Sequence, residues 1–165
     1  LDYEQAIQLR PDQYQPFYNR AKLRLAQGNS QDALKDYAEA IRLLPDTANQ
    51  AASDVYLDRG QLFASLGNLT SALSDFEQAA TRNPKNALAF YNRGNIRFQQ
   101  EEYTAALSDF TQAVQLDSQF GKAFYGLGIT QIMTEAREAG CISLKQAQKL
   151  GYADAATAIQ QYCQP

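Results

Sequence analysis

Apolar residues return along this chain with the spacing of one helical face. Over residues 17–26 and again over residues 31–43 they recur every three or four positions, the period of about 3.6 that lets an α-helix bury one side. Gly28-Asn29 lies between the two stretches, as a turn between helices requires. Together they predict an antiparallel helical hairpin. The pattern then repeats: at an offset of 34 residues Tyr3 falls on Tyr37, Ala6 on Ala40 and Pro11 on Pro45. The second half keeps the offset, with Arg59-Gly60 on Arg93-Gly94, Ala72 on Ala106, Asp75-Phe76 on Asp109-Phe110, Ala79 on Ala113 and Gly94 on Gly128. Between Pro45 and Pro84 the interval is 39, so one repeat carries five extra residues. Those five, 48–52, hold no glycine or proline and are rich in alanine, which predicts that they lengthen the next first helix at its N-terminus.

Each predicted hairpin carries the same side chains at its crossing. Ala21, Gly60, Gly94 and Gly128 on the first helices and Ala33, Ala72 and Ala106 on the second let two backbones approach, while Tyr37, Phe76 and Phe110 fill the space beside them. Pro45 and Pro84 follow second helices, where a missing N–H and a fixed φ end a helix. In its period and in this order of small, small, aromatic, alanine and proline the chain resembles the tetratricopeptide-repeat (TPR) family. The resemblance implies an all-α fold, a right-handed α-solenoid of TPR helical hairpins, with residues 1–165 as a single domain. It divides into the second helix of a truncated repeat (1–13), repeats at 14–47, 53–86, 87–120 and 121–150, and a C-terminal capping helix (151–165). Ser118 stands where the family has proline, and Gly140 where it has the second-helix alanine. The last segment resembles the terminal hairpins of TPR and Sel1-like arrays, with Gln160, Gln161 and Gln164 suited to the polar outer face of a cap. Because Leu1 begins partway through a repeat, the chain is expected to be a piece of a longer one. The uncovered side of the first helix, with Tyr3, Ala6 and Ile7, is then an apolar edge through which copies could self-associate.

Composition narrows the chemistry. Histidine and tryptophan are absent and there are two cysteines, which removes His-dependent catalytic triads and four-ligand Cys/His zinc sites by count. A net charge of −3 offers no electrostatic footprint for nucleic acid. No run approaches the roughly 18 apolar residues of a membrane span. Glu101-Glu102 falls in a turn, where adjacent carboxylates are solvated charge, and Gly121, Gly126 and Gly128 lack the strand and lysine of a phosphate loop. No catalytic pair, cofactor or metal is predicted. Nothing marks a compartment, and the cytoplasm is the default.

One pair of columns looks functional and has a structural reading. Arginine recurs at Arg20, Arg59 and Arg93, and aspartate at Asp36, Asp75 and Asp109 on the partner helices. In the last repeat Leu127 and Ser143 replace both at once. Joint loss is what a bidentate bridge within each hairpin predicts, against the alternative of a ligand-binding arginine row.

In TPR arrays the first helices line the concave face, so the resemblance makes their recurrent groove-side residues the candidate peptide contacts. One column holds Tyr18, Leu57, Tyr91 and Tyr125, and its neighbour Asn19, Asp58 and Asn92. Tyrosine joins a large contact area to a hydroxyl, and asparagine can donate to and accept from a peptide backbone. Asn95, Phe98, Lys22 and Lys122 complete the candidate surface. Packing between neighbouring first helices is the other reading of the tyrosines, and solvated helix faces that of the asparagines. The lysine and asparagine clamp with which some TPR domains grip chaperone tails is matched only in fragments, at Lys22, Asn92, Asn95 and Lys122, so chaperone tails are not the expected ligand.

Cys141 and Cys163 flank the Gly151 turn. Two reduced thiols are the simpler expectation and a disulfide the alternative. The function implied is a protein–protein interaction scaffold or adaptor, holding a peptide segment of a partner in the groove and serving complex assembly. The alternative is a regulatory or docking segment of a larger enzyme or signalling protein.

Overall fold

The computed structural model describes residues 3–164; Leu1, Asp2 and Pro165 lie outside them, and with them the ends of the expected first helix and cap. The described residues form ten α-helices and no strand. A first compact unit, Leu1–Asn83, holds α1 (Tyr3–Leu9), α2 (Tyr14–Ala26), α3 (Ser30–Leu43), α4 (Asn49–Ser65) and α5 (Leu69–Arg82). A second, Pro84–Pro165, holds α6 (Ala87–Gln99), α7 (Tyr103–Leu116), α8 (Gly121–Met133), α9 (Arg137–Lys149) and α10 (Asp154–Tyr162). Within them α2/α3, α4/α5, α6/α7 and α8/α9 pair as antiparallel hairpins.

The turns inside the hairpins are one motif used repeatedly. After α2, Gly28 N–H bonds the Leu25 carbonyl and Asn29 N–H the Arg24 carbonyl, at 2.9 and 2.8 Å. That is a Schellman ending, which needs a left-handed residue just past the helix. Gly28 supplies it at φ 80°, and Gly67 at φ 77° in the next hairpin. In the third and fourth hairpins the same bonds form around Glu101 (φ 62°) and Glu135 (φ 66°), where a side chain bears the steric cost glycine avoids. At their other ends α5 and α6 are capped by Asn68 and Asn86, whose side-chain oxygens accept from Ser71 N–H and Ala89 N–H.

The extra residues of the second repeat extend α4, which runs 17 residues from Asn49. Ser53 Oγ donates to the Ala79 carbonyl at 2.9 Å and Asn83 Nδ2 to Gln50 at 2.7 Å, fastening the extension to the end of α5.

Packing at the crossings follows from residue size. In the first unit Phe17, Ala21, Ala33, Tyr37, Ala40, Val55 and Leu62 form one buried cluster, with Ile7 of α1 packed on its edge. No residue of α1 is itself fully buried. A Cβ at Gly60 would stand 2.8 Å from the Phe76 ring, so the ring occupies the space of the missing methyl. The departure at Gly140 has a similar cause. A Cβ there would meet the Gly128 carbonyl oxygen at 2.7 Å, and one at Gly128 would meet the Gly140 oxygen at 2.9 Å, so α8 and α9 cross closely enough to require glycine on both.

The cysteines are not the reduced thiols expected. Cys141 of α9 and Cys163, which ends α10, form a disulfide with Cα atoms 5.7 Å apart. Antiparallel packing of α10 on α9 about the Gly151 turn turns the two positions toward each other, within the roughly 4.4–6.8 Å a disulfide spans.

Candidate functional site

The recurrent arginines point at aspartates of their own hairpins. Arg20 Nε and Nη2 donate to Asp36 at 2.9 and 2.7 Å, and Arg59 donates to Asp75 at 2.8 and 2.7 Å in the same way. Arg93 Nε and Nη2 reach Asp109 at 3.0 and 2.6 Å. The aspartates are almost wholly buried, and the bond to Asp36 holds the Arg20 guanidinium above its ordinary pKa. A further partner escaped the sequence reading: Arg24 and Arg97, one turn on, donate to Asp36 and Asp109 at 2.8 and 2.9 Å. Their recurrence four residues after Arg20 and Arg93 was the available signal. In the second hairpin Phe63 takes that place, and the Arg59 guanidinium lies 5.6 Å from its ring centre. In the fourth, Gln131 takes it and accepts a 2.7 Å hydrogen bond from Ser143, so a neutral pair replaces the charged one. These arginines are engaged within the hairpins.

Three candidate contacts of the first unit meet at one carboxylate. The Tyr18 hydroxyl donates to Asp58 Oδ2 at 2.7 Å, and Lys22 Nζ lies 3.5 Å from the same oxygen and 5.2 Å from the Tyr18 ring centre. Burial first, and then the bond to Asp58, push the Tyr18 phenol well above its usual range. Lys22 and Asp58 line a cavity of about 480 Å³ with Leu25, Tyr37, Gln61 and Leu62 among its walls. Asn19 is exposed and outside that lining. Leu57 departs from its expected role, because at 7% exposure it is core. One residue is about 100° of helix, so where Asp58 reaches the cavity Leu57 turns away from it.

The second unit gathers more of them. Tyr91, Asn95 and Phe98 of α6 and Lys122 and Tyr125 of α8 line one cavity of about 160 Å³. Phe110, Gly126, Ile129 and Tyr152 complete its wall and were not among the sequence candidates. Tyr152 lies in the turn before α10, which no repeat column marks, and packs at a tilt against Tyr125 with ring centres 5.0 Å apart. Its hydroxyl is pushed up to about 12, by burial first and then by the nearby Asp154 carboxylate. Tyr91 packs on Phe120 and Phe110 with ring centres 4.8 and 6.0 Å away. These tyrosines therefore pack and line the cavity at once. Asn92 is outside the lining, and its buried Nδ2 has no hydrogen-bond partner.

Among the described residues no cluster of three or more His, Cys, Asp or Glu side chains could hold a metal ion, and no helix is long and apolar enough to cross a membrane.

Comparison with known proteins fits this geometry. Human "Tetratricopeptide repeat protein 6" is 31% identical over 93 residues, covering 56% of this chain and 17% of that protein. The chain thus spans a small part of this relative. Among solved structures, MamA superposes with a TM-score of 0.79 at 18% identity, over 93% of this chain and 87% of that one. The first TPR of Spaghetti, solved bound to the HSP90 peptide SRMEEVD, superposes with a TM-score of 0.68 at 17% identity, over 72% and 96%. At such identities the likeness is one of fold, that of a TPR helical solenoid. The family described as "Tetratricopeptide repeat" matches residues 2–52 and 57–119, and the chain belongs to it.

Proposed function

We propose that this chain is a protein-interaction scaffold that holds a peptide segment of a partner, with the principal contact at the cavity of its second unit. The observation that carries the reading is the convergence of Tyr91, Asn95, Phe98, Lys122 and Tyr125 on that one cavity. A pocket with mostly aromatic walls and few polar groups suits an anchoring side chain, and Asn95 can bond the peptide backbone beside it. Asn92, one turn earlier on α6, lies outside that lining with its Nδ2 buried, so the backbone contact falls to Asn95. The Spaghetti TPR, similar in fold, binds a peptide, which supports this mode for the present chain. Assembly of a larger complex is the role such a scaffold would serve.

The test is affinity capture with the whole chain, followed by titration of a captured partner. Tyr125→Ala truncates a wall of the cavity, and loss of a central anchor commonly costs about 2 kcal/mol or more, over tenfold in affinity. Helicity should stay within a few per cent of the parent. A partner that binds Tyr125→Ala and Asn95→Ala as tightly as the parent sinks the reading.

A further inference from the structure

The cavity of the second unit has a size and lining that specify its guest. At about 160 Å³ it is close to the roughly 150 Å³ engineered cavity that takes up benzene, so it accommodates one ring-sized apolar group. Tyr91, Phe98, Phe110, Tyr125 and Tyr152 line that space, and aromatic pairs favour tilted or offset contact. Such walls would equally attract a cation. Lys122 decides between the two. It is the charged residue of the lining, and no acidic side chain shares the wall with it. Asp154 lies outside this lining; burial, and then its charge, raise the Tyr152 and Tyr125 phenols. An ammonium guest would meet a like charge at the wall, and a carboxylate an opposite one, with the Asn95 amide able to donate to it as well.

We infer that the cavity takes a single aromatic side chain carried next to a carboxylate, the ring among Tyr91, Tyr125 and Tyr152 and the carboxylate against Lys122. The inference rests on the peptide-binding reading and names the class of residue that the peptide must offer.

The test uses the whole ¹⁵N-labelled chain and three small probes followed by NMR titration: 3-phenylpropionate, 3-phenylpropanamide and phenethylammonium. The propionate should bind with a dissociation constant of about 1 mM, of the order open to so small a ligand, and shift the amides of Gly126 and Ile129. The amide should bind about threefold more weakly, the value of one exposed charge pair, and the ammonium more weakly still. Lys122→Gln should bring propionate and amide to equal affinity without changing the dispersion of the free spectrum. Ile129→Trp, which fills the cavity, should abolish binding of all three. Tighter binding of the ammonium overturns the assignment, as does a preference for propionate that survives Lys122→Gln. If captured partners depend on Tyr125 while no probe shifts Gly126 or Ile129, the guest is wrong and the peptide-binding reading stands. If neither partner nor probe depends on the cavity, both fail.

Discussion

Arg93 holds Asp109 through two guanidinium nitrogens at 3.0 and 2.6 Å, and Arg97 Nη1 reaches the same carboxylate at 2.9 Å. Asp109 is 2% exposed, so the arrangement sets one buried anion between two cations. Desolvation of such a group is repaid only while its partners remain. The fourth hairpin shows another solution at the same place, with Leu127, Gln131 and Ser143 and no charge.

Asp109→Ala should therefore cost about 3 kcal/mol, the low end for breaking a buried pair because the arginines keep some contact with water. Replacing all three residues by the fourth hairpin's set, Arg93→Leu with Arg97→Gln and Asp109→Ser, should cost about 1 kcal/mol or less. Urea unfolding monitored by helicity measures both. A triple variant no more stable than Asp109→Ala would show that the ion pairs stabilise the hairpins beyond filling the space.

Glu101 occupies the left-handed position that Gly28 and Gly67 hold in the earlier hairpins. Its helix still ends in the Schellman bonds, Glu101 N–H to Phe98 and Glu102 N–H to Arg97 at 3.0 and 2.9 Å, so the backbone keeps its path and bears the strain. Glu101→Gly removes roughly 1 kcal/mol of that strain, net of the freedom glycine gains in the unfolded chain. The melting temperature should rise by a few degrees, and Glu135→Gly should add a similar increment. An unchanged or lower midpoint for both variants would place the cost elsewhere.

Much of this architecture was legible because each hairpin repeats one steric problem. Gly60 opposite Phe76 and Gly94 opposite Phe110 are local complementarities, and a period of 34 carries them along the chain. The extension of α4 was legible for a similar reason, since alanine-rich residues without glycine or proline have nowhere to stop a helix. The sequence did not separate Leu57 from Asp58, because adjacent positions differ only in helix rotation and neighbouring packing sets which turns inward. Tyr152 was invisible as a wall of the cavity, since it stands outside the repeat and reaches Tyr125 only through the packing of the last helices. The disulfide was undecided for the same reason: spacing about a turn gives proximity, but helix rotation decides whether two cysteines face.

Tyr18 and Tyr37 should make the first unit sensitive to alkali. Burial, with Asp58 nearby, raises both phenols above the ordinary value of about 10. A raised folded pKa means that the native state holds its protons more tightly, so this stabilisation is complete below about pH 10 and declines as pH rises above it. Urea midpoints measured between pH 8 and 11 should be flat at first and then fall. Tyr18→Phe keeps the ring and removes one titrating group, so its decline should be shallower. An equally steep decline in Tyr18→Phe would assign the alkaline sensitivity to other groups.

The cap depends on more than its own sequence. α10 has nine residues, too few for an isolated helix to persist, and it buries only Ala155 and Ala158. Two further ties hold its far end: Arg137 donates from Nε to the Tyr162 carbonyl and from Nη2 to the Gln164 carbonyl, at 2.6 and 2.5 Å, and Cys141 is bonded to Cys163. A cross-link over a separation of 22 residues limits the unfolded chain by an amount worth about 3 kcal/mol in the loop-entropy account. Reduction, or Cys141→Ala with Cys163→Ala, should release the C-terminal turn of α10 first, because its remaining ties are hydrogen bonds at an exposed end. Native-state hydrogen exchange reads this directly. Amides from Ile159 to Tyr162 should exchange at least about tenfold faster in the reduced chain, while those of α6 and α7 keep their protection. Arg137→Ala should deepen the effect in the reduced chain and have less effect in the oxidised one, where the disulfide still fixes the end. If the α10 amides exchange at one rate in both redox states, helix packing alone holds the cap, and the disulfide contributes nothing to its stability.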